Sequence, residues 1–193
     1  VGRLKAQAAR ATVLIEEGDL TRLLPRLRVG ELDLFVGRLE PGYASPDLDT
    51  EALYNDVMCV VSHPEHPLAR QARVHWRQLA GEPWVVPPSW ATSRIKLAQM
   101  FYRHQLEPPT DIVETASFLV TLSFVRERPA IGFLARAVAS HFERQDLLRV
   151  LKVRVPIELP PVGIITLRGR EHTPTCRLLI DGLRQEAAVL RQS

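Results

Sequence analysis

The chain has 193 residues, 46% of them hydrophobic and 24% charged, with a formal net charge of +3. That is the composition of an ordinary soluble globular protein, long enough to bury a core as one domain or as two small lobes. No apolar run approaches the length of a membrane-spanning helix. The composition also argues against direct nucleic-acid contact, since the arginines are scattered and no Lys/Arg run has interleaved aromatics.

The chain opens at Val1-Gly2-Arg3 inside a helical pattern, which implies a fragment of something longer. Leu4, Ala6, Ala8 and Ala9 alternate with Arg3, Lys5 and Gln7, so residues 1–9 read as a short amphipathic helix. Thr12-Val13-Leu14-Ile15-Glu16 is a compact β run. Asp19 is a good N-cap, and Leu20, Leu23, Leu24 and Leu27 follow it at helical spacing. Pro25 costs that helix a backbone hydrogen bond, so it should bend or start late. Gly30 ends it, and Leu32 through Gly37 is predicted as a buried strand. The order α, β, α, β with short connections calls for parallel strands joined by helical crossovers.

Residues 38–50 read as loop, and Leu53-Tyr54 with Val57 through Ser62 as one longer β element. His63-Pro64-Glu65-His66-Pro67-Leu68 is a proline-punctuated turn, and a short helix around Arg77 to Ala80 stops at Gly81. A β-capable stretch, Pro83-Trp84-Val85-Val86, then runs into Pro87-Pro88 and the helix start Ser89-Trp90-Ala91-Thr92-Ser93. A second strand-like segment is Val162 to Leu167. If both segments cross between lobes, they are a hinge. Residues 1–86 plus 163–193 then form the first lobe and residues 87–162 the second, with a ligand cleft between them.

The second lobe repeats the grammar. Thr92 caps a helix carrying Ile95, Ala98, Phe101 and Leu106, and Pro108-Pro109 breaks it. Asp111 to Glu114 is a strand, Phe118 to Val125 a helix, Ala130 to Leu134 a strand, residues 135–143 a helix and Val150 to Val153 a strand. Thr173 caps a closing helix through Leu190.

Little in the chain points to catalysis. His63 and His66 look like a metal pair, but they sit in a turn and no second pair stands at ligand spacing, so no metal and no cofactor is expected. G-x-S-x-G, G-x-G-x-x-G and a P-loop are missing. The carboxylate pairs Glu16-Glu17 and Asp47/Asp49 read as solvated faces. Cys59 and Cys176, with no C-x-x-C, read as reduced cysteines of a cytoplasmic protein.

What remains is binding. In open α/β sheets, ligands sit at the carboxyl ends of strands against helix N-termini, where unpaired N–H groups and the helix dipole favour anions. Two segments supply such ends: Ser89 with Trp90 and Thr92, and Thr115 with Ser117. Arg38, just past the strand ending at Gly37, adds a cation. Plain capping explains each Ser or Thr singly.

These residues carry a resemblance. Glu16-Glu17-Gly18-Asp19 followed by Leu23 to Leu34, His66-Pro67-Leu68-Ala69, Leu79 to Val85, Val113-Glu114-Thr115 and Pro161-Val162-Gly163 resemble the effector domain of LysR-type transcriptional regulators across nearly the whole chain. The Trp84 to Pro88 stretch is similar to the branch regulating sugar and aromatic-acid catabolism. The resemblance implies a two-lobed α/β fold of the type 2 periplasmic-binding-protein class, each lobe a mainly parallel sheet flanked by helices. It further implies a small, anionic effector (an organic acid or sugar derivative), Phe133 among its contacts, and DNA binding only through an N-terminal winged helix-turn-helix outside this chain. It implies a homodimer, tetrameric in the full-length protein, built through Leu4, Ala8, Val13, Ile15, Leu20, Leu23 and Leu27. Two departures stand out: Arg126-Glu127-Arg128-Pro129 replaces the family's Gly-rich turn, and Ala135 its proline. The alternatives are a transport solute-binding protein of the same fold, against which the missing secretory signal counts, and a transferase on the same architecture.

Overall fold

In a computed structural model, which describes residues 1–43 and 45–191, the chain divides into two units. Unit 1 comprises Val1–Asn55 and Pro160–Ser193, and unit 2 comprises Asp56–Leu159. The chain begins with α1 (Gly2–Gln7), α2 (Leu20–Arg28), β1 (Phe35–Arg38) and β2 (Leu48–Tyr54) of unit 1. Unit 2 follows with β3 (Met58–Ser62), α3 (Trp76–Leu79), β4 (Trp84–Val86), α4 (Thr92–Arg103), β5 (Ile112–Glu114), α5 (Phe118–Glu127), β6 (Ile131–Ala135), α6 (Arg136–Glu143) and β7 (Arg149–Val150). The chain then returns to unit 1 for β8 (Val162–Leu167) and α7 (Pro174–Leu190).

Unit 1 is built on a three-stranded sheet of order β1-β8-β2. Both pairings are antiparallel, which corrects the expectation of parallel strands in this unit. The reason is topological: β8 arrives from a distant part of the chain and inserts between β1 and β2, so no helical crossover dictates its direction. Leu20, Leu27, Leu48 and Ile165 pack on one side, while Leu53, Ile164, Cys176 and Ile180 pack α7 onto the sheet. α2 starts directly behind Asp19, whose Oδ1 accepts from the Arg22 N–H at 2.9 Å. Pro25 lies inside it without delaying its start, and the helix runs on until the Val29 N–H donates to the Pro25 carbonyl.

Residues 12–16 form no strand, contrary to the β run expected there. Alternation alone cannot make a strand without a partner, and no strand of the described sheets pairs with this segment. Its Leu14 and Ile15 side chains are 74% and 68% exposed. The buried strand expected over residues 32–37 is shifted to β1, and the loop expected over residues 38–50 includes the start of β2.

Unit 2 has a five-stranded sheet of order β5-β4-β6-β3-β7. Its pattern is mixed: β4 runs parallel to β5 and β6, whereas β3 is antiparallel to β6 and β7. β3 therefore belongs here, and the single β element expected over residues 53–62 is two strands in two sheets. For the same reason the stretch around β4 is an interior strand of unit 2 rather than a crossing. The chain passes between units at residues 55/56 and 159/160, against the expected 86/87 and 162/163. The core of unit 2 gathers Trp76, Leu79, Trp84, Leu97, Phe101, Ile131 and Phe133. Trp84 is fully enclosed, and its indole N–H is satisfied by the Leu79 carbonyl at 2.8 Å.

Candidate functional site

The parallel pair β4–β5 ends with both carboxyl termini side by side, each followed by a helix. The Thr115 N–H donates to the Val86 carbonyl at 3.0 Å, which extends the pairing one residue past β5. From this edge the chain turns into α5: the Ser117 N–H donates to Thr115 Oγ1 at 3.0 Å, and Ser117 Oγ accepts from the Val120 N–H at 3.4 Å. Ser117 is thus the N-cap of α5. On the neighbouring strand, the Ser89 N–H donates to Glu114 Oε2 at 3.3 Å. The structure therefore brings Ser89, Thr115 and Ser117 to one edge of unit 2.

α4 starts differently. Its N-cap is Ala91, which has no side chain able to cap, and Thr92 is the first helical residue rather than the expected cap. The first N–H groups of a helix have no intrahelical partner, so α4 offers donors that no side chain claims. Trp90, beside them, is largely exposed.

Sequence reasoning missed Arg94, in the first turn of α4. Its Nε is sealed from solvent and has no hydrogen-bond partner among the described residues. Together with Ser89, Ile95 and Tyr102 it lines a cavity of about 430 Å³ along α4. A cation directly after the Ser/Thr-containing segment Ser89–Ser93 was the available signal. A buried donor without an acceptor costs about 1–3 kcal/mol, and more when the group is charged. Glu114, a carboxylate at this edge, is exposed and accepts from the Ser89 N–H.

Phe133 and Arg38 were also expected as contacts. Phe133 is only 2% exposed, in the middle of β6 and inside the apolar core. The inward-facing side of a central strand reads in sequence much like a ligand-facing one, and packing decided between them. Arg38 belongs to unit 1, at the end of β1, where its guanidinium donates to the Pro160 carbonyl at 2.9 Å. Of the residues expected at a dimer interface, Leu4, Leu20, Leu23 and Leu27 are buried within unit 1, Ala8 and Val13 are half-buried, and Ile15 is exposed. The apolar stripe of α2 faces its own sheet.

His63 Nδ1 accepts from the Glu65 N–H at 3.1 Å, and His66 Nδ1 from the Leu68 N–H at 3.2 Å. Both rings serve the turn they sit in. No group of three or more His, Cys, Asp or Glu residues that could hold a metal ion occurs among the described residues. No helix among them is long and apolar enough to cross a membrane.

Comparison with known proteins agrees with this architecture. The model of the LysR substrate binding domain matches residues 1–188. The HTH-type transcriptional regulator GbpR of Azospirillum brasilense is 26% identical over 176 residues, covering 91% of this chain and 51% of the relative. The chain thus spans about half the length of that protein. Among solved structures, a transcriptional regulator from Vibrio parahaemolyticus superposes with a TM-score of 0.82 at 18% identity, covering all of this chain and 89% of that one. The BenM effector binding domain with its effector benzoate gives 0.68 at 22% identity, covering 98% and 85%.

Proposed function

Because the chain belongs to the LysR substrate binding domain family, an effector-binding domain with a fold like that of type 2 periplasmic binding proteins, we propose that unit 2 holds a small organic anion at the edge formed by Ser89, Arg94, Thr115 and Ser117. The observation that carries the reading is the sealed, unpartnered Arg94 Nε beside the uncapped start of α4. A carboxylate there would take the guanidinium as a charge-assisted partner and the first α4 N–H groups as donors. Trp90 and Tyr102 present apolar surface for the rest of the ligand. The benzoate bound by the BenM domain is an anion of this class.

In the whole protein, this binding would be read out by a DNA-binding domain outside the chain. The modest net charge and scattered arginines here fit a regulatory rather than a DNA-contacting role. The family match favours that reading over a transport receptor. Self-association belongs to the same proposal. The segment 12–16 is outside any helix or strand, lacks a strand partner in the described sheets and exposes Leu14 and Ile15. Such a segment can pair with another copy, which would make the domain a homodimer and leave Leu20, Leu23 and Leu27 as its internal support.

The test is calorimetric titration of the chain with benzoate and a panel of aromatic and sugar-derived acids, each beside its uncharged amide or alcohol. Saturable binding of an acid but not its neutral counterpart, weakened about tenfold or more by Arg94→Ala, is the expected result. An acid that binds the variant as tightly as the parent chain would remove Arg94 from the site. Sedimentation of the parent chain beside an Ile15→Glu variant tests the dimer, which the charge should dissociate.

A further inference from the structure

A second concavity in unit 2 has an apolar floor and a wholly basic rim. It encloses about 480 Å³ where the segment before α3, the last turn of α4 and residues 152–156 meet. Arg73, Arg77, Lys152 and Arg154 line it with His75 and His104, and no Asp or Glu does. All four of these cations are exposed, and none is ion-paired with a carboxylate among the described residues. Arg28, Arg168 and Arg184, elsewhere on the surface, each hold a carboxylate. Four like charges around one hollow repel each other, and nothing lining the hollow relieves them.

The floor is held in place. Trp76 is 5% exposed, stacks with the His104 ring at 5.7 Å and 19° between planes, and meets Phe101 edge-on at 5.1 Å. Its indole N–H donates to the Arg154 carbonyl at 3.2 Å, and the Val74 N–H donates to the Lys152 carbonyl at 3.0 Å. These two bonds tie the segment bearing Arg73 and Arg77 to the segment bearing Lys152 and Arg154, so the cations on both walls are positioned by the same contacts that fix the indole. A solvated basic face needs neither a concavity nor an ordered aromatic base.

The geometry points to a second ligand site, for a small amphiphilic anion: a flat apolar body lies along the Trp76–His104 floor, and two acidic groups, carboxylate or phosphate, reach the cations of the two walls. The volume is that of a small-molecule site, and the paired charges favour a dianion over a neutral ligand of the same shape. This site is separate from the one at Ser89 and Arg94. Those residues stand at the start of α4 and His104 at its end, and a helix of that length spans about 18 Å.

A naphthalene dicarboxylate is a suitable probe, with the matching naphthalene dimethanol as its uncharged isostere. The tryptophans Trp76, Trp84 and Trp90 give separate indole N–H resonances that report which end of α4 is occupied. Titration of the full chain should be saturable and should shift the Trp76 resonance, in the Arg94→Ala variant as in the parent chain. The double variant Arg73→Glu/Lys152→Glu, at exposed positions, should weaken the diacid about tenfold or more without lowering the melting temperature, and should leave any acid binding that depends on Arg94 unchanged. A shift confined to Trp90, equal affinity for the dimethanol, undiminished affinity in the double variant or a failure to saturate would each overturn the proposal. Loss of Arg94-dependent binding alone would bear only on the first site.

Discussion

Arg94 is a residue whose cost and use are separable. Replacing it by alanine removes a sealed donor that has no acceptor, so Arg94→Ala should leave the ligand-free chain as stable as before or more so, while impairing anion binding; thermal unfolding with and without the acid checks both halves. A loss of stability without ligand would mean that the guanidinium is structurally engaged. Cys59 poses a different question at the same scale. Burial pushes its thiol up to about 12, with Arg136 pulling the other way and the nearby carboxylates adding to the rise. The folded state therefore favours the protonated thiol, and this contribution is present below the ordinary thiol value and is lost as pH rises toward 12. Denaturant unfolding between roughly pH 8.5 and 11 should show stability falling with pH, and Cys59→Ala should flatten part of that slope. The same burial predicts that a thiol reagent leaves Cys59 unmodified at neutral pH until the chain is unfolded. Site legibility also divides residue by residue. The helix start at Thr115 and Ser117 was readable because helix starts are written in local hydroxyls. The sealed Arg94 Nε was not legible, because the burial of one guanidinium nitrogen depends on what packs around it, and the core position of Phe133 is likewise a matter of packing.

At the scale of elements, β8 is the strand on which unit 1 depends, since it pairs with both β1 and β2. Gly163 allows that approach: a Cβ there would lie 2.3 Å from the Glu51 carbonyl oxygen and 2.7 Å from Leu39 Cδ1. Backbone cannot swing aside as a side chain can, so Gly163→Ala should destabilise the chain by about 1–3 kcal/mol, read as a lower urea midpoint. An unchanged midpoint would show that β2 yields at that position. α7 offers a milder test. Thr173 Oγ1 accepts from the Cys176 N–H at 3.1 Å, and Thr173→Ala should cost about 1 kcal/mol of stability through the lost cap. Both α2 and α7 start where their capping residues Asp19 and Thr173 indicate, because caps and apolar periodicity are local. Strand direction and partnership are not local. The run 12–16 has β character but no partner, and the residues from Leu53 to Ser62, continuous in β character, were divided between two sheets by the unit boundary at Asn55. Parallel pairing was legible only for β4, β5 and β6, where helices carry the chain from one strand to the next.

For the whole molecule, the division into units has a thermodynamic consequence. Unit 2 is one continuous stretch, Asp56–Leu159, whereas unit 1 is assembled from both ends of the chain. The main core of unit 2, from Met58 through Leu79, Trp84 and Phe101 to Ile157, draws every buried residue from that stretch. Its five-stranded sheet is likewise self-contained. A segment with its own sheet and its own core has what an independent domain requires. Residues 56–159 expressed alone should therefore fold and unfold cooperatively, with a calorimetric enthalpy of about 60–80 kcal/mol at the midpoint and dispersed amide resonances. Both proposed sites lie within this stretch, so the fragment should also retain titration by the naphthalene dicarboxylate at Trp76. A gradual, heat-independent baseline with collapsed resonances would show that unit 2 needs unit 1 to complete its core. A folded fragment that has lost the Trp76 response would place the origin of that cavity outside the residues that line it.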